Sequence, residues 1–184
     1  FPVDLHDMGC DFYATNCYKW MLSPMGTGFL FVRKGAQQVL KPLRRPHEPD
    51  GTARQYETGT PACMLYQGLA ASLDFMTGIG GPEAIAAEAG RKAESLRSRF
   101  DAIPGVRVTS SRRAETQSGI VAFAIEGMEG NEVSDALTQR WQITQRATHI
   151  NKPTGVRISV AFYTSDSELD TLVEAVTTLA GETA

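Results

Sequence analysis

Cys10-Asp11-Phe12-Tyr13-Ala14-Thr15-Asn16-Cys17-Tyr18-Lys19-Trp20 is the stretch whose reading decides the fold. Cys10 to Thr15 reads as a buried strand. Pro24-Met25-Gly26-Thr27-Gly28 reads as a turn, and Phe29-Leu30-Phe31-Val32-Arg33 as a second buried strand. Lys19 then falls between two core strands, where partial desolvation disfavours the charged ammonium and leaves neutral amine able to attack an aldehyde. The alternative is a solvated lysine in a strand connection, the usual situation for this residue type.

Working outward, Asp4 to Met8 reads as a short turn. Residues 35–60 are rich in Pro, Gly, Arg and Gln, with Pro42, Pro46 and Pro49 marking an irregular excursion. Thr60 as N-cap and Pro61 as first helical residue predict a helix whose buried stripe is Leu65, Leu69, Leu73 and Met76, stopped by Gly78 and Gly80. A second helix is predicted from about Pro82 to Phe100 on Ile85, Ala89, Ala93 and Leu96. Beyond it the pattern alternates. Strands are expected at 106–109, 120–125, 143–148 and 156–162, and a helix from Glu132 to Trp141 capped by Asn131. A last helix starts at the Ser165/Glu168 capping box, with Leu169, Leu172, Val173 and Val176 inward. The resulting division is residues 1–60, two strands of a larger sheet with a connecting loop, and residues 61–184, a helix leading into a small α+β domain.

Composition narrows the function classes. In 184 residues, 18 basic and 21 acidic side chains give a net charge of −3, with 42% hydrophobic and 21% charged residues, an ordinary globular balance. No apolar run approaches the roughly 18 residues of a spanning helix. The basic cluster at Lys41 to Arg45 is broken by Pro42, so nucleic acid is not an expected partner. Three cysteines (Cys10, Cys17, Cys63) without a Cys-x-x-Cys pair or clustered histidines point to reduced thiols in a cytoplasm and to no structural metal. A cysteine nucleophile, Cys17 or Cys63 with His6 or His149, has no spacing to support it.

Three separated motifs carry more. The lysine stretch with Gly26-Thr27-Gly28-Phe29-Leu30 behind it comes first, Tyr56-Glu57-Thr58-Gly59-Thr60-Pro61 second, and Gly155-Val156-Arg157-Ile158-Ser159-Val160 with Phe162-Tyr163 and Glu168-Leu169-Asp170 third. In that order they resemble the class V aminotransferase family, the fold-type I pyridoxal-phosphate enzymes that include cysteine desulfurases, isopenicillin N epimerase and carbon-sulfur lyases. The resemblance implies an α/β fold of the aspartate aminotransferase type, of which this chain holds the last strands of the large-domain sheet and the small α+β domain. It implies pyridoxal 5'-phosphate as cofactor, Lys19 as the Schiff-base lysine, and Asn16, Tyr18, Gly59 and Thr60 as phosphate contacts, the last two reaching a partner's cofactor in a homodimer. Arg157, with His149 in the loop before it, is implied to bind the carboxylate of an amino-acid substrate. Independently of the family, Gly59 and Thr60 at a helix N-terminus would suit an anion, where a plain helix cap is the simpler reading. An arginine inside an apolar strand needs a carboxylate, internal or from a ligand, unless it is simply exposed.

The departures from the pattern also count. Tyr18 stands where relatives carry His, and can donate one neutral hydrogen bond. The loop from Arg146 to Thr154 holds no cysteine, which disfavours a persulfide-forming desulfurase and favours the epimerase or carbon-sulfur lyase branches. The aspartate that pairs with the cofactor's ring nitrogen, the stacking group and the glycine-rich phosphate loop are expected upstream of Phe1, in a missing N-terminal half. Asp4 and Asp11 do not replace that aspartate by position. Alone, the chain is expected to be inactive or nearly so, and the competing expectation is a truncated fragment serving only as a dimerising binding or assembly module.

Overall fold

A computed structural model describes residues 1–41, 56–57, 59–148 and 155–183 of the chain. Two compact units emerge, Pro2–Gly81 and Pro82–Ala184, with Phe1 grouped with the second.

In the first unit β1 (Phe12–Asn16) and β2 (Gly28–Val32) form an antiparallel pair in register from Phe12 opposite Val32 to Asn16 opposite Gly28. Gly28 is demanded by this register, because a Cβ there would lie 2.7 Å from the Thr15 carbonyl oxygen. The expectation of two buried strands is corrected. Phe12, Phe29 and Leu30 are 44%, 42% and 51% exposed. A continuous apolar run signals burial on both faces only when a layer covers each face, and among the described residues this sheet has only its two strands.

The helix α1 (Cys63–Gly78) follows, and its start differs from the expected one. The N-cap is Ala62, with no side-chain bond, so Thr60 is not the cap and Pro61 is not helical. Proline holds the residue before it in extended backbone, and Gly59 is left-handed (φ 72°), so the loop runs on for two residues past Thr60. The stripe that α1 turns inward is Leu65, Gly68, Leu69, Ser72 and Met76, while Leu73 is exposed. Its end is as expected, with Gly80 in positive φ (106°) just past Gly78.

The second unit is built on α2 (Gly81–Asp101), whose predicted stripe Ile85, Ala89, Ala93 and Leu96 is buried, together with Lys92, Arg97 and Phe100. It continues through β3 (Val106–Val108), β4 (Ile120–Ile125), α3 (Gly130–Trp141), β5 (Arg146–Ala147), β6 (Val156–Ser159) and α4 (Asp166–Glu182). The four strands form one antiparallel sheet in the order β3-β4-β6-β5. Strand alternation separates its faces. Val121, Phe123 and Ile125 of β4 and Val156 and Ile158 of β6 enter a core shared with Leu96 and Phe100 of α2, Val133 and Leu137 of α3, and Leu172, Val176 and Leu179 of α4. The Phe100 and Phe123 ring centroids are 4.6 Å apart, and each such buried side chain contributes roughly 1.5–3 kcal/mol. Arg157 and Ser159 are exposed on the other face.

Boundaries move for identifiable reasons. The cap of α3 is Glu129, in a reciprocal box with Glu132, rather than Asn131, which is already inside the helix. β5 is two residues long because α3 closes on Gln142 in left-handed conformation (φ 58°) and Ile143 N–H donates back to the Leu137 carbonyl. β6 stops at Ser159, since Ala161 N–H turns to the Thr164 hydroxyl. α4 keeps the predicted Ser165/Glu168 box. Among the described residues, no helix is long and apolar enough to cross a membrane.

Candidate functional site

Residues 17–27 form a tight loop between β1 and β2 whose polar interior the sequence did not announce. Cys17 N–H donates to the Thr27 carbonyl (3.0 Å), and Ser23 N–H donates to the Cys17 carbonyl (3.2 Å). The Thr27 hydroxyl lies 2.9 Å from that of Ser23 and 2.7 Å from the Pro24 carbonyl. Cys17, Ser23 and Thr27 are all buried. Leu22 N–H closes a turn onto the Lys19 carbonyl, with Leu22 itself in left-handed conformation (φ 55°).

α1 buttresses this loop. The Ser72 hydroxyl donates to the Met21 carbonyl, and Pro24 sits where a Cβ on Gly68 would be, so a larger residue at position 68 would collide with its ring. The polar groups that could compete for a ligand are therefore consumed internally. Burial also pushes the Cys17 thiol up, away from a reactive thiolate.

Asn16, Tyr18 and Lys19 point out of this fixed frame. Lys19 and Asn16 are exposed and Tyr18 is 36% exposed, so the expectation of a desolvated lysine is corrected: the amine is in water. The physical reason is the same open hairpin. Gly59 and Thr60 are exposed in the loop before α1, three and two residues ahead of its N-cap, outside its first turn. The Tyr56 hydroxyl, within 3.4 Å of the Gln37 and Leu40 carbonyls, tethers that loop. Asp4 is committed to the Asp7 and then the His6 N–H groups, which hold its carboxyl below the usual range, and Asp11 is committed to Arg33.

In the second unit, Arg157 stands on the outward face of β6, exposed, between Ala122 of β4 and Arg146 of β5. Among the described residues neither arginine has an ion-pair partner. Arg146 itself is exposed on β5. His149 lies outside the described residues.

The class-V aminotransferase family model ("Aminotransferase class-V") matches residues 1–172. Isopenicillin N epimerase of Streptomyces clavuligerus is 30% identical over 201 residues, a match covering 98% of this chain and 50% of that protein. "Probable cysteine desulfurase 2" of Mycobacterium leprae is 27% identical, covering 95% of this chain and 46% of that protein. Among solved structures, the apo cysteine desulfurase from Thermococcus onnurineus superposes with a TM-score of 0.84 at 23% identity, over 97% of this chain and 49% of that one. The cystine C-S lyase C-DES, in complex with its reaction product cysteine persulfide, gives 0.82 at 23%, over 96% and 48%. The expected fold-type I architecture is borne out by these superpositions, and the chain spans about half the length of the curated relatives it matches. The match over all but the last twelve positions makes this chain a member of the class-V aminotransferase family.

Proposed function

We propose that this chain is the lysine- and arginine-bearing portion of a pyridoxal-phosphate-dependent enzyme acting on an amino acid, of the epimerase or carbon-sulfur lyase type rather than a persulfide-forming desulfurase. The observation that carries this reading is the Lys19 loop, a frame whose other polar groups are satisfied internally while one primary amine and two neutral donors, Asn16 and Tyr18, face outward. That donor set fits an aldehyde-bearing phosphate ester. The amine suits the aldehyde, and the amide and phenol suit phosphate oxygens. No free carboxylate for a ring nitrogen accompanies them in the loop, and Asp11 is already paired with Arg33. Bound there, the cofactor supplies an electron sink for the pair released at the substrate's α-carbon.

Lys19 Nζ takes up and returns the α-proton, a task for which its exposed, single-loop mounting gives it reach. Arg157 grips the substrate carboxylate with two parallel N–H donors. Gly59 and Thr60 serve the phosphate of a partner subunit in a homodimer. The segment 146–154 contains no cysteine and Cys17 is buried, which supports the epimerase and lyase branches. The free state of Cys10, Cys17 and Cys63 suits a cytoplasmic protein. The rest of the relatives' length supplies the ring-nitrogen carboxylate, so the chain on its own turns over little or no substrate.

The test is chemical trapping. Incubation with pyridoxal phosphate, borohydride reduction and peptide mass mapping should modify Lys19 far faster than the exposed Lys34, with loss of that product in Lys19→Ala. Equal labelling of the two lysines would refute the reading. It would leave in its place the assembly-module reading, which the exposed Phe12, Trp20, Met25, Phe29 and Leu30 of the first unit favour.

A further inference from the structure

The Leu22 N–H, which closes a turn onto the Lys19 carbonyl at 3.1 Å, and the Met21 carbonyl, which accepts the Ser72 hydroxyl of α1, belong to one peptide unit. In a trans unit these two groups point in opposite directions. The unit is therefore clamped, with Lys19 on one side and α1 on the other. Among the described residues these two are the only hydrogen bonds made by the backbone of residues 18–22.

The clamp holds an unfavourable backbone state. Leu22 sits at φ 55°, where a bulky side chain crowds the backbone, and such a residue stays there only when its neighbours fix it. Turning the Met21–Leu22 peptide over would return Leu22 to an ordinary negative φ, but it would swing the Met21 carbonyl away from the Ser72 hydroxyl. α1 is shaped for this contact. Ser72 alone among its described residues is buried. A helical hydroxyl ordinarily bonds back to the carbonyl four residues earlier, as Thr77 does to Leu73 in the same helix, whereas Ser72 reaches a carbonyl 51 positions away. One turn before it, Gly68 lets the helix come close, since a Cβ there would meet the Pro24 ring of the same loop.

We propose that Ser72 is a positioning residue for Lys19. It acts through the Met21–Leu22 peptide and the Lys19 carbonyl, and so fixes the direction in which the amine leaves the loop. This rests on the reading of Lys19 as the aldehyde-binding amine made above.

The experiment uses the full chain and compares wild type with Ser72→Ala and with Ser72→Thr, which keeps the hydroxyl. Two quantities are read: exchange of the Leu22 amide against amides of β4, and the ratio of Lys19 to Lys34 labelling by pyridoxal phosphate with borohydride. In Ser72→Ala the Leu22 amide should exchange about two- to tenfold faster, the range that one hydrogen bond supports, with β4 unchanged, and the labelling ratio should fall by a similar factor. Ser72→Thr should restore both. A Ser72→Ala protein that keeps the wild-type ratio overturns the positioning role, even if its Leu22 amide exchanges faster, because the bond then holds only the turn; the role of Lys19 stands in that case. A Ser72→Thr protein that behaves like Ser72→Ala also overturns it, since the hydroxyl is then not the agent. If wild type itself labels the two lysines equally, the proposed function fails and the role of Ser72 falls with it.

Discussion

Truncating Arg97 tests the account of how α2 holds the sheet. This side chain is 1% exposed, and its Nη2 donates to the Ser118 carbonyl at 2.9 Å and the Ile120 carbonyl at 3.1 Å. Those carbonyls have few other partners. Val160 N–H bonds the Gly119 carbonyl, so Ile120, the next residue, turns its own carbonyl away from β6. It points toward β3, which has already ended, since Val108 pairs with Phe123. The guanidinium thus stands in for a strand that is not there. Its contact with half-exposed Glu94 at 3.3 Å is weak by comparison.

Arg97→Ala orphans two carbonyls, at about 1–3 kcal/mol each, so the expected loss is about 2–6 kcal/mol. Urea unfolding would read it as a midpoint shift of about 1–3 M for a slope near 2 kcal/mol/M. Trp141 packs against the core of this unit, so its fluorescence in a Trp20→Phe background, which removes the other tryptophan, is the probe. Arg97→Met keeps most of the aliphatic stem and should still lose most of the stability. If Arg97→Met matches wild type, the hydrogen bonds contribute nothing and the reasoning is refuted.

Two further outcomes follow from close contacts and ion pairs. A Cβ on Gly155 would run into the Phe123 carbonyl oxygen and approach the Ala124 side chain, so Gly155→Ala should cost about 1–3 kcal/mol and lower Tm by several degrees; a shift below about 1 °C would contradict the register of β4 and β6. Arg91 and then Lys92, bonding to Glu88, hold its carboxyl down at about 2 from an ordinary 4.5. A depressed carboxylate stabilises the fold above its ordinary value and loses that contribution as pH falls from about 4.5 through about 2, so urea midpoints should drop over that window, less steeply in Glu88→Gln. Equal slopes in both proteins would show that this surface cluster carries no net stability.

How much was legible in the sequence depends on whether a residue's partners lie along its own element. The stripe of α2, the alternation of β4 and the Ser165/Glu168 box were readable because each is settled within one helix or strand. The open faces of β1 and β2 were not, because the same apolar run serves a strand covered on two faces or on none. Thr60 as a helix cap failed on Gly59 and Pro61 acting together, a backbone effect stronger than the capping preference. In the site, Lys19, Asn16 and Tyr18 were legible as a motif. Ser23, Thr27 and Ser72 hold that motif in place across as many as 51 residues and left no local signal.

The sparse burial of the first unit bears on how the molecule breathes. Among the described residues its backbone hydrogen bonds are shielded by few buried apolar side chains, Cys17 and Ala36, against eighteen in the core of the second unit. Opening free energy scales with the packing that an opening disrupts, so amides of β1 and β2 should exchange with solvent through local events while those of β4 and β6 wait for global unfolding. The amine of Lys19 is thus carried on the part of the chain with the shortest-lived protection, and a ligand anchored there would register first as slowed exchange at Cys17 and Thr27, whose backbone groups bond each other across the base of its loop.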